Sequence, residues 1–293
     1  MTHLRLVLCL LLTVPYFVTP AQAGSVAFTE SYLGAKGSAT CATPFDIIGV
    51  APDDGLAHPV FVYAVGTTEH YDNRQARAAI DAMAAKGFVA ARVQYDSEMF
   101  GNCARIAQKA ACIFKASSSD SAISKLCARG DCSKGVVVGG FSQGAIIATL
   151  ARNSDARVQA AYGMGALSTY GVGSVARCMN DRKHQLPATR LRIVNGEKDG
   201  FGGRNANSVR SNSVAVTGKR CAANAYTCLN ANGSGWIMVK DAQVSDKSAD
   251  HCYQRKVLDC NGSENVLDPK WKSGGQSWAL PANLAWLKTF TKP

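Results

Sequence analysis

Gly140-Phe141-Ser142-Gln143-Gly144 is a Gly-x-Ser-x-Gly pentapeptide set between an apolar run ending at Phe141 and an apolar stretch from Ala145 to Arg152. A strand, a tight turn and a helix in that order lift a serine hydroxyl above a sheet, where it can act as a nucleophile. The glycines have a physical task, because a chain reversing so sharply leaves no room for a Cβ at residue 140 or 144. The turn also places the hydroxyl at the positive end of a helix dipole. A serine attacks only when a base takes its proton, so a histidine must come within hydrogen-bond reach. The chain has five histidines. His3 lies in an N-terminal leader, and His58 precedes an apolar run at its start, the wrong end for a site built on strand C-terminal ends. His70, His184 and His251 remain, with Asp199, Glu197, Asp246 and Asp250 as carboxylates able to orient an imidazole. Asp199 is favoured, because it follows the run Arg190 to Asn195 closely enough for its carboxylate to project from a strand end.

These residues need a scaffold, and the hydrophobic pattern describes one. Strand-like runs at Pro59–Val65, Phe88–Tyr95, Lys134–Phe141, Val158–Met164, Arg190–Asn195 and Trp236–Lys240 alternate with helical patterns at Asp72–Lys86, Ser119–Arg129, Ala145–Arg152 and Ala282–Thr291. Short strands apolar on both faces, separated by helices, argue for an α/β fold with a mainly parallel sheet and helices on both faces. The loop after the first run, Val65-Gly66-Thr67-Thr68-Glu69-His70, faces the Ser142 turn in such a sheet. A tetrahedral acyl-transfer intermediate needs two donors on its oxyanion, and the backbone N–H groups of Gln143 and Thr67 are the candidates. Gly200–Gly218 and Lys272–Ser277 are polar and Gly-, Ser- or Lys-rich, and read as loops. The stretch Gly165–Leu186 is short and mixed in polarity, so an open site without an oily lid is expected. Phe201, Arg204 and Arg210, after Asp199, could receive a polar or aromatic substrate.

Composition bounds the setting. The chain has 293 residues, 47% hydrophobic and 18% charged, as a folded globular protein requires. Arg5, the apolar run Leu6–Val18 and Ala21-Gln22-Ala23 form a secretory signal, so residues 1–23 are expected to be removed and residues 24–293 to form a single domain. No later stretch reaches the ~20 apolar residues of a membrane span. Cys9 lies in the leader, and the remaining ten cysteines form an even set, which in an oxidising compartment implies up to five disulfides. Spacing suggests the local pairs Cys127 with Cys132, Cys221 with Cys228 and Cys252 with Cys260. With no two-residue Cys-x-x-Cys spacing and no histidine cluster, zinc is not expected, nor is any cofactor. The 32 Lys and Arg exceed the 21 Asp and Glu, a net charge of +11. They are scattered without aromatic interleaving, so nucleic acid is not the expected partner, whereas adsorption to an anionic cell surface or glycan is compatible with the charge. The expected product is a secreted or periplasmic monomer. Asn232-Gly233-Ser234 and Asn261-Gly262-Ser263 match glycosylation sequons, although Asn-Gly is equally a turn pair.

The order of these features resembles the α/β-hydrolase superfamily of serine esterases over most of the chain after the leader. That resemblance implies the order nucleophile, acid, base, and so selects Ser142, Asp199 and His251 over His70 and His184. Locally, Gly139-Gly140-Phe141-Ser142-Gln143-Gly144-Ala145 is most similar to the elbow of cutinases, which are small secreted disulfide-bonded esterases. The sequence departs from that subfamily in two respects. Asp199 and His251 are 52 residues apart without cysteines bracketing Asp199, and Val65 stands before Gly66 where a histidine is common. The implied activity is hydrolysis of a small or polymeric carboxylic ester through an acyl-enzyme. Acyl transfer, thioester cleavage or peptide cleavage on the same triad is the nearest alternative. A cationic binding protein that keeps the fold without catalysis is the alternative from another class.

Overall fold

The computed structural model describes residues 24–37, 40–256, 260 and 266–292. The leader and the sequon at Asn261 fall outside these residues.

Two long strands come first, β1 (Gly24–Gly34) and β2 (Thr43–Asp53). An alternating series follows: β3 (Val60–Ala64), α1 (Arg74–Ala84), β4 (Val89–Val93), α2 (Cys103–Phe114), α3 (Ala122–Arg129), β5 (Val136–Phe141), α4 (Gln143–Leu150) and β6 (Val158–Met164). A small excursion holds β7 (Thr169–Tyr170), β8 (Gly173–Ser174) and α5 (Ala176–Met179). The chain closes with β9 (Leu191–Gly196), α6 (Ala206–Thr217), β10 (Thr227–Leu229), β11 (Gly235–Val239), α7 (Pro269–Ser273) and α8 (Leu280–Lys288).

Nine strands form one sheet in the order β1-β2-β4-β3-β5-β6-β9-β11-β10. The six from β4 to β11 are parallel, while β1, β2 and β10 run antiparallel to their neighbours. Every residue of β3, β4, β5 and β11 is buried, as expected of central strands covered on both faces. Helix α1 packs with α8 and α8 with α7 on one face, while α2 packs with α3, α4 and α5, and α5 with α6, on the other. Helix α4 is buried all round, so its uniformly apolar sequence needs no polar side. The sheet reverses its strand order around β3, and at such a switch point the loops leaving the strand C-termini diverge and open a crevice.

Two parts of the pattern correct the sequence reading. The polar stretch 200–218 contains α6, not only loop. Asn205 Oδ1 caps it by accepting from Ser208 N at 2.9 Å, and Gly218 ends it in the left-handed region at φ 68°. Its buried Ser213 and Thr217 satisfy their hydroxyls on Val209 O at 2.9 Å and Ser213 O at 2.7 Å, so polar residues can line a buried helix face. Lys272 and Ser273, read as loop, belong to α7. The β1–β2 pair and α2 had no counterpart in the pattern at all.

Among the described residues five disulfides form. Three are the local pairs expected from spacing. The other two, Cys41–Cys112 and Cys103–Cys178, span 71 and 75 residues and tie α2 to its surroundings at both ends. No helix among the described residues is long and apolar enough to cross a membrane. Asn232 sits in the turn between β10 and β11, where its Oδ1 accepts from Ser234 Oγ at 2.7 Å.

Candidate active site

Ser142 follows β5 directly and has φ 51° and ψ −119°, a conformation that a side chain adopts only under constraint. The constraint is visible at both flanking glycines. A Cβ on Gly140 would come 2.3 Å from Gly144 O, and one on Gly144 would come 2.2 Å from Ala64 O. The backbone is pinned by Ser142 N donating to Met164 O at 2.8 Å, and Ser142 O accepts from Ala145 N at 2.9 Å as α4 begins.

Asp199 lies at the turn after β9 and is fully buried. Its Oδ1 accepts from the backbone of Phe201 at 3.0 Å and Gly202 at 3.3 Å, and its Oδ2 meets His251 Nδ1 at 2.7 Å. That contact assigns the proton to Nδ1 and leaves the lone pair on Nε2. Nε2 is buried and has no hydrogen-bond partner among the described residues. The imidazole reaches this position from the loop after β11 and rests against Gly165, whose φ of +62° and missing Cβ make room for the ring. Phe141 and Phe201 flank it, with ring centroids 5.0 and 4.6 Å away.

Ser142 and His251 open into one cleft of about 520 Å³, shared with Thr67, Thr68, Glu69, Phe100, Tyr170 and Phe201. Of the sequence candidates, Ser142, His251 and Thr67 line this cleft, Asp199 stands behind His251, and Gln143 lies buried beneath the turn. The remaining candidates are engaged elsewhere. His58 meets Asp54 at 2.7 Å, and His184 Nε2 meets Val216 O at 3.2 Å. Glu197 accepts from Tyr226 Oη at 2.8 Å and Asp241 N at 2.6 Å, Asp246 from Ser248 N at 3.1 Å, and Asp250 from Cys252 N at 2.7 Å. His70 Nδ1 accepts from Asp72 N at 3.2 Å.

Two features of the site escaped the sequence. The first is Lys109, which is 5% exposed and donates to Gln143 Oε1 at 2.9 Å and Met99 O at 3.3 Å. Gln143 Nε2 in turn donates to Thr67 Oγ1 at 2.9 Å and Met99 O at 3.2 Å, so one amide links the two residues proposed to supply oxyanion donors. Burial holds the Lys109 ammonium below the ordinary lysine value. The signal was available, since Lys109 falls on the buried face of α2 with Ile106, Ala110 and Ile113. The second is a buried ion pair between Glu69 and Arg255 at the cleft wall. Glu69 Oε2 also accepts from Gly66 N at 2.7 Å, which fixes the Val65–His70 loop, and Arg255 Nε donates to Gln75 Oε1 at 3.2 Å. Nothing local in the sequence pairs residues so far apart.

No family model and no curated relative matches the sequence. Solved structures do match in three dimensions. One is a cold-adapted esterase from an Arctic intertidal metagenomic library, 11% identical over 92% of this chain and 95% of that chain, with TM-score 0.57. Another is a dienelactone hydrolase-like promiscuous phosphotriesterase from metagenomic libraries, 14% identical over 92% of this chain and 99% of that chain, with TM-score 0.55. The likeness spans nearly the whole of each protein but concerns the fold at large, and the cutinase-like reading of the elbow rests on residues 139–145 alone. The parallel sheet, its strand order and these neighbours together give the chain the α/β-hydrolase fold.

Proposed function

We propose that the protein is an exported serine hydrolase that cleaves carboxylic esters through a covalent acyl-enzyme. The observation that carries this reading is the 2.7 Å contact from Asp199 to His251 Nδ1, which leaves Nε2 unpartnered in a residue that lines the same cleft as Ser142. Ser142 Oγ attacks the ester carbonyl while His251 Nε2 takes its proton. Asp199 stays ionised, holds the tautomer and stabilises the imidazolium. The carbonyl oxygen becomes an oxyanion beside the backbone N–H groups of Gln143 and Thr67. As the intermediate collapses, the C–O bond to the alcohol breaks and His251 returns the proton to the departing oxygen. Water then attacks the acyl-enzyme by the same route in reverse, releasing the acid and restoring Ser142. The esterase and hydrolase descriptions of the two structural neighbours support hydrolysis. Export is supported by the leader at residues 1–23 together with five disulfides, which persist in oxidising compartments.

A fluorophosphonate probe should label the disulfide-intact protein at Ser142, and Ser142→Ala should abolish both labelling and hydrolysis of p-nitrophenyl esters. Absence of an adduct on the folded wild-type protein defeats the proposal. Matched ester, thioester and amide substrates, with and without an acceptor alcohol, separate hydrolysis of esters from the other chemistries open to the same three side chains.

A further inference from the structure

We infer that the ester cleaved at this site carries a neutral aromatic ring on its alcohol half, seated against Phe201, Tyr170 and Phe100; the inference rests on the serine-hydrolase reading above. The departing oxygen must take its proton from His251 Nε2, which places it within about 3 Å of that atom. Whatever is attached to that oxygen therefore leaves along the surfaces bordering the imidazole. Aromatic rings form one side of those surfaces. Phe201 stands edge-on to His251 at 4.6 Å and 66°, and Tyr170 at 6.3 Å and 85°. Phe100 extends the wall from Tyr170 at 4.8 Å.

The wall presents ring surface and no free polar group. The Tyr170 hydroxyl donates to Gly165 O at 2.8 Å and accepts from Leu167 N at 3.1 Å, so its polar end is occupied within the fold. The charged residues of the cleft, Glu69 and Arg255, form an ion pair with each other, which disfavours a charged substituent. Phe201 remains 40% exposed and Val172, at the rim, 67% exposed, apolar surface that a bound ring would cover.

The wall is also held in place before any ligand arrives. Phe201 N donates to Asp199 Oδ1 at 3.0 Å, so the carboxylate that orients His251 also fixes the backbone under Phe201. The Cys103–Cys178 disulfide joins the start of α2, just after Phe100, to α5, just after the β7–β8 hairpin that carries Tyr170 and Val172. A preformed set of rings favours a planar aromatic guest over a flexible alkyl chain. Each edge-to-face contact adds about two- to tenfold in affinity beyond the area covered, and a rigid guest loses less rotamer freedom on binding.

The test compares 2-phenylethyl acetate with hexyl acetate, and ethyl 3-phenylpropanoate with ethyl hexanoate, using wild type, Phe201→Ala, Phe201→Leu and a Ser142→Ala blank. The expected result is a kcat/KM ratio of about ten for the alcohol pair, falling toward one in both Phe201 variants, and a smaller ratio for the acyl pair. Thermal unfolding of the Phe201 variants close to wild type shows that the wall and not the fold was changed. A ratio near one for the alcohol pair, a ratio unaffected by either Phe201 variant, or a preference confined to the acyl pair overturns the inference. Failure to turn over all four esters, despite a fluorophosphonate adduct at Ser142, overturns it as well. Absence of the adduct removes the hydrolase reading itself.

Discussion

His251 has almost no spare room, and this makes position 165 a sensitive probe of the proposed chemistry. A Cβ there would lie 2.6 Å from His251 Cε1 and 3.3 Å from Nε2, at a φ of +62° that disfavours a side chain. Gly165→Ala should therefore push the ring from its place against Asp199 and lower kcat/KM about 10²-fold, the scale associated with a ~1 Å misplacement. The backbone strain adds a stability loss of about 1–3 kcal/mol, to be read from denaturant unfolding. Lys109 makes a different prediction because it touches Gln143 and not the reacting atoms. Losing an oxyanion donor costs ~10²–10³ in rate, and Lys109→Met, one group further removed, should reduce kcat about tenfold with KM little changed, with Lys109→Arg recovering part of the loss. Steady-state kinetics on one p-nitrophenyl ester decides, and a loss confined to KM would contradict the positioning role. At this scale the sequence was informative where chemistry leaves a local mark. Ser142 announces itself through glycines that the turn requires and Asp199 through its place after a strand, whereas His251 was singled out from His70 and His184 by the chain order that the α/β-hydrolase resemblance implies. Lys109 left a mark only as a lysine among the apolar positions of α2, while the Glu69–Arg255 pair becomes meaningful only once the loop after His251 is folded against the elbow, an approach that no spacing rule encodes.

The elements that position these side chains are secured unequally by the five disulfides. In a chain-entropy account, cross-linking a loop of some 70 residues stabilises by about 4 kcal/mol and one of some 5 residues by about 2 kcal/mol. Cys41–Cys112 spans 71 residues and Cys127–Cys132 spans 5. Replacing the first pair by serine should accordingly lower the unfolding free energy by about 2 kcal/mol more than replacing the second, measured by urea titration of the oxidised proteins. Equal losses would indicate that native strain or residual denatured structure outweighs loop entropy. Helix α6 offers a smaller measurement. Removing its cap with Asn205→Ala should lower stability by about 1 kcal/mol, whereas a polar loop at 205–217 would register nothing. The central strands and α1, α4 and α8 were legible because burial on both faces, or on one stripe, imposes a periodic apolar pattern. Helix α6 was hidden because Ser213 and Thr217 satisfy their hydroxyls on their own helix and so can be buried without being apolar. The β1–β2 pair was hidden for a related reason, since it forms the sheet edge and many of its residues face solvent. The long-range disulfides could not be read because ten cysteines permit far more pairings than spacing can discriminate.

On the scale of the whole molecule, one group of lysines and the cleft occupy opposite ends of the same strands. The chain carries a net charge of +11, and Arg5 is the one Lys, Arg, Asp or Glu among residues 1–23. Lys86, Lys134, Lys288 and Lys292 gather around a shallow opening with His58 and Pro59, at the ends of β3 and β5 opposite Ser142. A six-residue strand such as β5 spans about 20 Å, roughly twice the ~10 Å screening length at 0.1 M salt. Charges on that side should therefore attract an anionic surface while exerting little field on the reacting ester, and a protein adsorbed through them would present its cleft outward. The protein should bind a polyuronate or sulfated-glycan resin in buffer of low ionic strength and elute when salt shortens the screening length toward ~3 Å at 1 M. Lys86→Glu with Lys288→Glu should shift elution to lower salt while leaving kcat/KM for a soluble ester within about twofold, since exposed charges beyond the screening length contribute little to one another. If the double variant eluted with wild type, the attraction would belong to the dispersed net charge and not to this end of the sheet. If it lost hydrolysis in parallel with binding, the separation of charge and chemistry argued from the strand direction would be wrong.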